Sequence, residues 1–157
     1  MSTLIIYTPF SHGSQLADRL NTDNKGEILR DPFVDTRDTT IPYSENVIVI
    51  SNILDPRDFI FQTIIPETYI VKVDFYEELI DRYKFDKVIL NDRKDRFVQL
   101  TQLAGKYCKE DADNPNPSEI DIKYFSKAKA ELSESKVLIE RLSRSINIDI
   151  TYSENLL

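Results

Sequence analysis

The residues from Pro9 to Ser14, Pro-Phe-Ser-His-Gly-Ser, have the makings of an anion-binding turn. They follow Thr3-Leu-Ile-Ile-Tyr-Thr8, a run rich in β-branched and aromatic residues. They precede Gln15-Leu-Ala-Asp-Arg-Leu20, where Leu16, Ala17 and Leu20 have the spacing of one helix face. The pattern predicts strand, tight loop, helix. In such a unit the loop amides and the positive end of the helix dipole point at one spot, where a phosphate or sulfate is favoured. An ordinary ATP or GTP loop needs Gly-x-x-x-x-Gly-Lys-Ser/Thr, and this stretch has one glycine and no lysine. His12 could serve as a cation or base, because an imidazole pKa is tunable near neutrality; capping the helix is the alternative.

Two further places carry charge that could act on such an anion. Lys72 lies within Thr68-Tyr-Ile-Val-Lys-Val73, which reads as an apolar strand. A lysine there needs water or an anion for its ammonium, and a stem that carries the charge to solvent is the plain alternative. The second place is Asp92-Arg-Lys-Asp-Arg96, which follows the strand pattern Lys87-Val-Ile-Leu-Asn91 and opens a helix running to Ala104, with Phe97, Leu100, Leu103 and Ala104 on its apolar face. An arginine offers a planar fork to phosphate oxygens, and a hydroxyl one turn along can complete the cradle. A solvated helix start with charge pairs such as Asp92 with Arg96 is the alternative.

The elements that must position these groups read as α/β. Val47-Ile-Val-Ile50 suits a strand buried on both faces. Asp55-Pro56 resembles a helix start, with Pro66 as its end, and Phe75 to Tyr83 reads as a short helix. The stretch after Leu29, with Pro32 and Pro42, reads as loop, and Gly26 as a helix cap followed by the surface acid Glu27. Residues 109–118 form a polar loop with two prolines. The longest helical pattern runs from Ser118 to Ser145, with Ile122, Phe125, Ala128, Leu132, Ile139 and Leu142 on its stripe and Lys136 among the residues of its solvent side. Ile148 to Leu157 alternates as a strand.

In this order the landmarks resemble the sulfotransferase family: a phosphosulfate-type loop with Pro9, Gly13, Ser14 and Leu16, the pair Gly26-Glu27, the Lys72 strand, the Arg93-Lys-Asp-Arg96 helix, and a closing strand with Tyr152 and Glu154. The resemblance spans nearly the whole chain. It implies one domain over residues 1–157, a three-layer α/β sandwich with a mainly parallel, P-loop/sulfotransferase-like sheet. It also implies 3′-phosphoadenosine 5′-phosphosulfate as cofactor, without metal, and sulfuryl transfer to a hydroxyl acceptor. Gly13, Ser14, Arg93 and Thr101 would bind the nucleotide, Arg93 and Thr101 at its 3′-phosphate, and His12 or Lys72 would face the sulfuryl group. The loop's basic residue is missing, however, its neighbourhood being taken by Phe10, Ser11 and His12. A second reading keeps the fold without the chemistry: a noncatalytic structural or assembly subunit, for example of a phage particle, with protein partners or a homo-oligomeric state.

Composition bounds both readings. With 157 residues, 41% hydrophobic, eight Phe and eight Tyr, the chain is the size of one globular domain. A net charge of −7 argues against a nucleic-acid partner. No apolar run approaches the length of a membrane span, and the first ten residues lack a secretory signal, so a cytoplasmic location is expected, or a virion if the chain is structural. A single cysteine, Cys108, and a single histidine leave no Cys/His metal set.

Overall fold

The structure, a computed structural model, describes residues 2–21, 26–32, 47–54 and 68–156. Five strands form one all-parallel sheet: β1 (Thr3–Tyr7), β2 (Glu27–Arg30), β3 (Val47–Asn52), β4 (Lys87–Asp92) and β5 (Ile150–Tyr152). Their spatial order is β2-β3-β1-β4-β5, so β1 is central, with Leu4 opposite Val49 on one side and Val88 on the other. The continuous apolar runs of β1 and β3 follow from this position, since both faces of a parallel sheet are covered.

Side chains alternate between the faces. Ile5, Ile48, Ile50 and Ile89 pack with Leu16 and Ala17 of helix α1 (Gly13–Leu20). Leu4, Ile6, Val47, Val49 and Leu90 pack on the opposite face against helix α2 (Thr68–Tyr83) and the C-terminal half of helix α4 (Ile122–Ile146). Leu138, Ile139 and Leu142 of α4 are fully buried there, each worth about 1.5–3 kcal/mol of transfer free energy. The fold is thus the α/β sandwich that the sequence predicts.

Helix α3 (Arg96–Glu110) pairs with the other half of α4, burying Leu103, Ala104 and Cys108 against Tyr124, Ala128 and Leu132. Lys136 sits level with Asp92, the last residue of β4. Residues 122–135, about 20 Å of helix at 1.5 Å per residue, precede that contact and pack on α3.

Several expectations are corrected. Thr68–Val73 is not a strand but the first turns of α2, so Lys72 stands on a helix. Val73, Tyr76, Ile80 and Tyr83 reach the core at helical spacing, and burial along one face overrides the β-branched composition. Gly26 does not cap α1, whose C-cap is Asn21. Instead the Asn21 amide group bonds both the N–H and the C=O of Gly26 just before β2, a strand that the sequence reading did not distinguish. The closing strand is only Ile150–Tyr152 and turns at Ser153 into the one-turn helix α5 (Ser153–Leu156). Phe97 and Ile122, expected on apolar faces, are 73% and 77% exposed, while Lys136, expected in solvent, is withdrawn. The helix expected from Asp55 to Pro66, and the loop residues 33–46, lie outside the described residues.

Candidate functional site

The chain leaves β1 toward the face that α1 covers. Helices α2 and α4 cover the other face. Such a divergence opens a crevice at the carboxyl ends of the strands, the usual place for a ligand in an open α/β sheet. The residue 8–13 loop lies in that crevice.

The loop is held from behind. Thr8 donates its amide to Asn91 O (3.1 Å), Asn91 Nδ2 donates to Ser11 O (2.5 Å), and Ser11 Oγ donates to Thr8 O (2.7 Å). Gln99 Nε2 donates to Pro9 O (2.8 Å) and Thr8 Oγ1 (3.0 Å). Thr8, Ser11 and Gln99 are all fully buried. Behind them Lys136 Nζ donates to Asp92 Oδ1, Arg93 O and Gln99 Oε1, which uses all three ammonium protons. Thr8 Oγ1 in turn donates to Asp92 Oδ1 (2.6 Å).

The backbone so fixed alternates in sign. Phe10 (φ 56°) and His12 (φ 62°, ψ 32°) are left-handed, whereas Ser11 and Gly13 are not. Alternation of this kind is the backbone pattern of an anion-binding nest, although the Ser11 amide is itself given to Thr8 O (3.2 Å). Two non-glycine residues at positive φ also carry conformational strain, which collects at ligand sites. The first α1 hydrogen bond runs from Leu16 N to His12 O (3.0 Å). The amides of Gly13, Ser14 and Gln15 make no hydrogen bond among the described residues. Gly13 is required for packing rather than for φ: a Cβ there would lie 2.6 Å from the Tyr7 ring. Tyr7 is anchored by its hydroxyl, which donates to the Asp31 carboxylate (2.9 Å), and Asp31 also accepts from Asn52 N (2.9 Å). The ends of β1, β2 and β3 are tied at one carboxylate.

A cavity of about 370 Å³ opens above the nest. Its floor is the residue 9–15 stretch; its wall is Gln102, Leu103, Lys106 and Tyr107 of α3, with Glu131 of α4 beyond. His12, Gly13 and Ser14 are therefore brought together as the sequence suggests. Arg93 and Thr101 are not. The Arg93 guanidinium donates to Phe10 O (3.2 Å) and Gln102 Oε1 (3.2 Å) and lies 3.8 Å from Glu154, so it braces the loop from outside the cavity. Thr101 Oγ1 donates to Phe97 O one turn back and lines a separate groove on the outer side of α3. Lys72 stands in the second turn of α2, and its side chain lies outside the description.

Sequence reasoning missed two cations near the nest. Lys106 lines the cavity, on a face of α3 shared with Gln102. Arg30, at the end of β2, donates to Ser14 Oγ and to Asp18 Oδ1 (2.8 Å). No signal in the sequence marked Arg30, because the strand that aims it was itself not distinguished.

Glu154 sits on an anion-accepting turn of its own. Its carboxylate accepts from Lys94 N (3.0 Å) and Asp95 N (3.2 Å). Burial works to raise its pKa, but these amides, its own amide and Arg93 outweigh that and hold it below the usual glutamate value.

No protein-family model, curated protein or solved structure matches this chain. Among the described residues no helix is long and apolar enough to cross a membrane, and no group of three or more His, Cys, Asp or Glu is placed to hold a metal.

Proposed function

We propose that this chain binds the phosphate- or sulfate-bearing end of a small ester ligand in the β1–α1 nest, the binding half of a sulfotransferase-like protein. The observation that carries the reading is the alternating backbone of Phe10 to Gly13, which precedes three unpartnered amides at Gly13, Ser14 and Gln15 beneath a cavity. Unpaired N–H groups at a helix start favour an oxyanion, and Lys106 and His12 add positive or proton-donating groups at the rim.

The resemblance in sequence names 3′-phosphoadenosine 5′-phosphosulfate as the ligand and a hydroxyl as acceptor. The nest suits the sulfate and 5′-phosphate end of that cofactor. The grip expected at its 3′-phosphate does not fit, because Arg93 is engaged with Phe10 O and Glu154, and Thr101 with its own helix. The same engagement of Arg93 favours the second reading, a noncatalytic subunit that retains the fold.

Calorimetric titration with adenosine 3′,5′-bisphosphate and with adenosine 5′-phosphate separates these readings. The nest reading expects micromolar to millimolar binding of both, weakened about fivefold in Lys106→Gln, as loss of one charge-assisted contact at an open site implies. A strong preference for the bisphosphate that vanishes in Arg93→Gln would restore the full sulfotransferase-like reading. Absence of heat with either ligand, in a folded protein, would leave the noncatalytic subunit.

A further inference from the structure

We propose that Gln99, oriented by Lys136, is the positioning residue that imposes the left-handed turns of the residue 9–12 loop, so that the floor of the cavity and its α3 wall form one preset unit. The device belongs to the bare protein and does not depend on the anion-binding reading.

Phe10 and His12 hold φ of 56° and 62° without being glycine. Such residues persist only where the surroundings over-determine the backbone. Here three consecutive carbonyls are taken by side chains of β4, α3 and the turn between them. Pro9 O accepts from Gln99 Nε2 (2.8 Å), Phe10 O from Arg93 Nη1 (3.2 Å) and Ser11 O from Asn91 Nδ2 (2.5 Å). Of these donors Gln99 is the one that α3 supplies, and it is fully buried.

The direction of the Gln99 amide is forced. Lys136 Nζ has only protons to offer, so Gln99 Oε1 must face it (2.8 Å), and the NH2 group then faces Pro9 O and Thr8 Oγ1 (3.0 Å). A flipped amide would set N–H against ammonium and oxygen against the Pro9 carbonyl. Thr8 Oγ1, already accepting, gives its own proton to Asp92 Oδ1 (2.6 Å), and Asp92 closes the ring on Lys136. A ring with one donor-only and one acceptor-only member has a single hydrogen-bonding sense. Its burial makes each bond expensive to leave unmade. Gln99 precedes the wall residues Gln102 and Leu103 by one turn of α3, so the wall cannot shift against the loop without breaking the ring.

The test is NMR spectroscopy on the full chain. A residue at positive φ gives a strong intraresidue NOE between its amide and α protons, and the parent is expected to show it at Phe10 and His12. Gln99→Glu keeps the shape and the acceptor for Lys136 but cannot donate to Pro9 O, and Gln99→Met removes the donors without adding charge. Both are expected to lose the two strong NOEs, and Lys136→Met, which frees the Gln99 amide to flip, is expected to weaken them. Leu79→Ala opens a cavity in the core beneath α2; it controls for lost stability alone and should leave them intact. Strong NOEs that persist in folded Gln99→Met overturn the inference, because the turns are then set without Gln99. Loss of the same NOEs in Leu79→Ala overturns it as well. If neither Gln99 variant folds, the parent decides: NOEs from the Gln99 side-chain amide protons to Thr8 and Pro9 are required, and their absence overturns the assigned direction.

Discussion

Lys136 Nζ lies 2.5 Å from Asp92 Oδ1, with the two side chains only 12% and 8% exposed, and this pair joins the α3–α4 hairpin to the end of the central strands. Removing one partner of a buried pair leaves the other charged and poorly solvated. Lys136→Met is therefore expected to lower unfolding free energy by about 3–5 kcal/mol in urea denaturation. The double variant Lys136→Met/Asp92→Asn should recover much of that loss. A loss under 1 kcal/mol in the single variant would mean that the pair does not anchor the hairpin.

Gly13 touches the Tyr7 ring so closely that a Cβ would lie 2.6 Å from it. Replacing a helical glycine ordinarily stabilises by up to about 1 kcal/mol. Here overpacking against an anchored ring decides the sign, and Gly13→Ala is expected to destabilise by about 1–3 kcal/mol in thermal unfolding. A gain in stability would show that Tyr7 yields.

Tyr76 is fully buried, and its hydroxyl lies 2.6 Å from Ser51 Oγ and donates to Asn52 O at 3.0 Å. Tyr76→Phe leaves both β3 groups without that partner, at an expected loss of about 1–3 kcal/mol in urea denaturation. An unchanged midpoint would contradict the assigned contacts.

Glu154 and Asp111 both have folded-state pKa values below their ordinary ones. For Asp111 the leading cause is the hydrogen bond from Tyr124, followed by the amide of Asp113; for Glu154 the amides and Arg93 prevail over burial. A depressed carboxylate pKa contributes stability that is present above the unfolded value and is lost as pH falls through the folded one. The melting temperature should therefore fall as pH drops below the ordinary values of 4.5 for Glu154 and 3.8 for Asp111. Glu154→Gln should flatten the upper part of that slope, modestly, since the group is largely exposed. An unaltered pH profile in Glu154→Gln would contradict the assigned role of the Lys94 and Asp95 amides.

How much of this was legible in the sequence varied with the kind of signal. The runs at Thr3–Tyr7, Val47–Ile50 and Lys87–Asn91 were legible as strands, and the continuous apolar run at Val47–Ile50 as one buried on both faces of a sheet. The 3.6-residue spacing marked α3 and α4, but not which exposed positions broke the stripe, so Phe97 and Ile122 were misplaced. Lys136 was misplaced in the other direction. Its burial depends on Asp92, 44 residues away, and no local pattern reports such a partner. Thr68–Val73 has strand composition, yet belongs to a helix whose remaining turns bury Tyr76 and Leu79. The loop at Pro9–Ser14 was found by its punctuation, whereas its decisive property, positive φ at Phe10 and His12, is visible only in the backbone.

The central claim is that the Gly13, Ser14 and Gln15 amides receive an oxyanion. The most direct measurement is a two-dimensional ¹H–¹⁵N NMR titration with adenosine 3′,5′-bisphosphate, repeated with inorganic phosphate. The expected result is saturable downfield movement of those three amide resonances, with smaller changes at His12 and Lys106. Resonances that stay in place up to millimolar ligand, or that move only around Thr101 and the outer groove of α3, would contradict it.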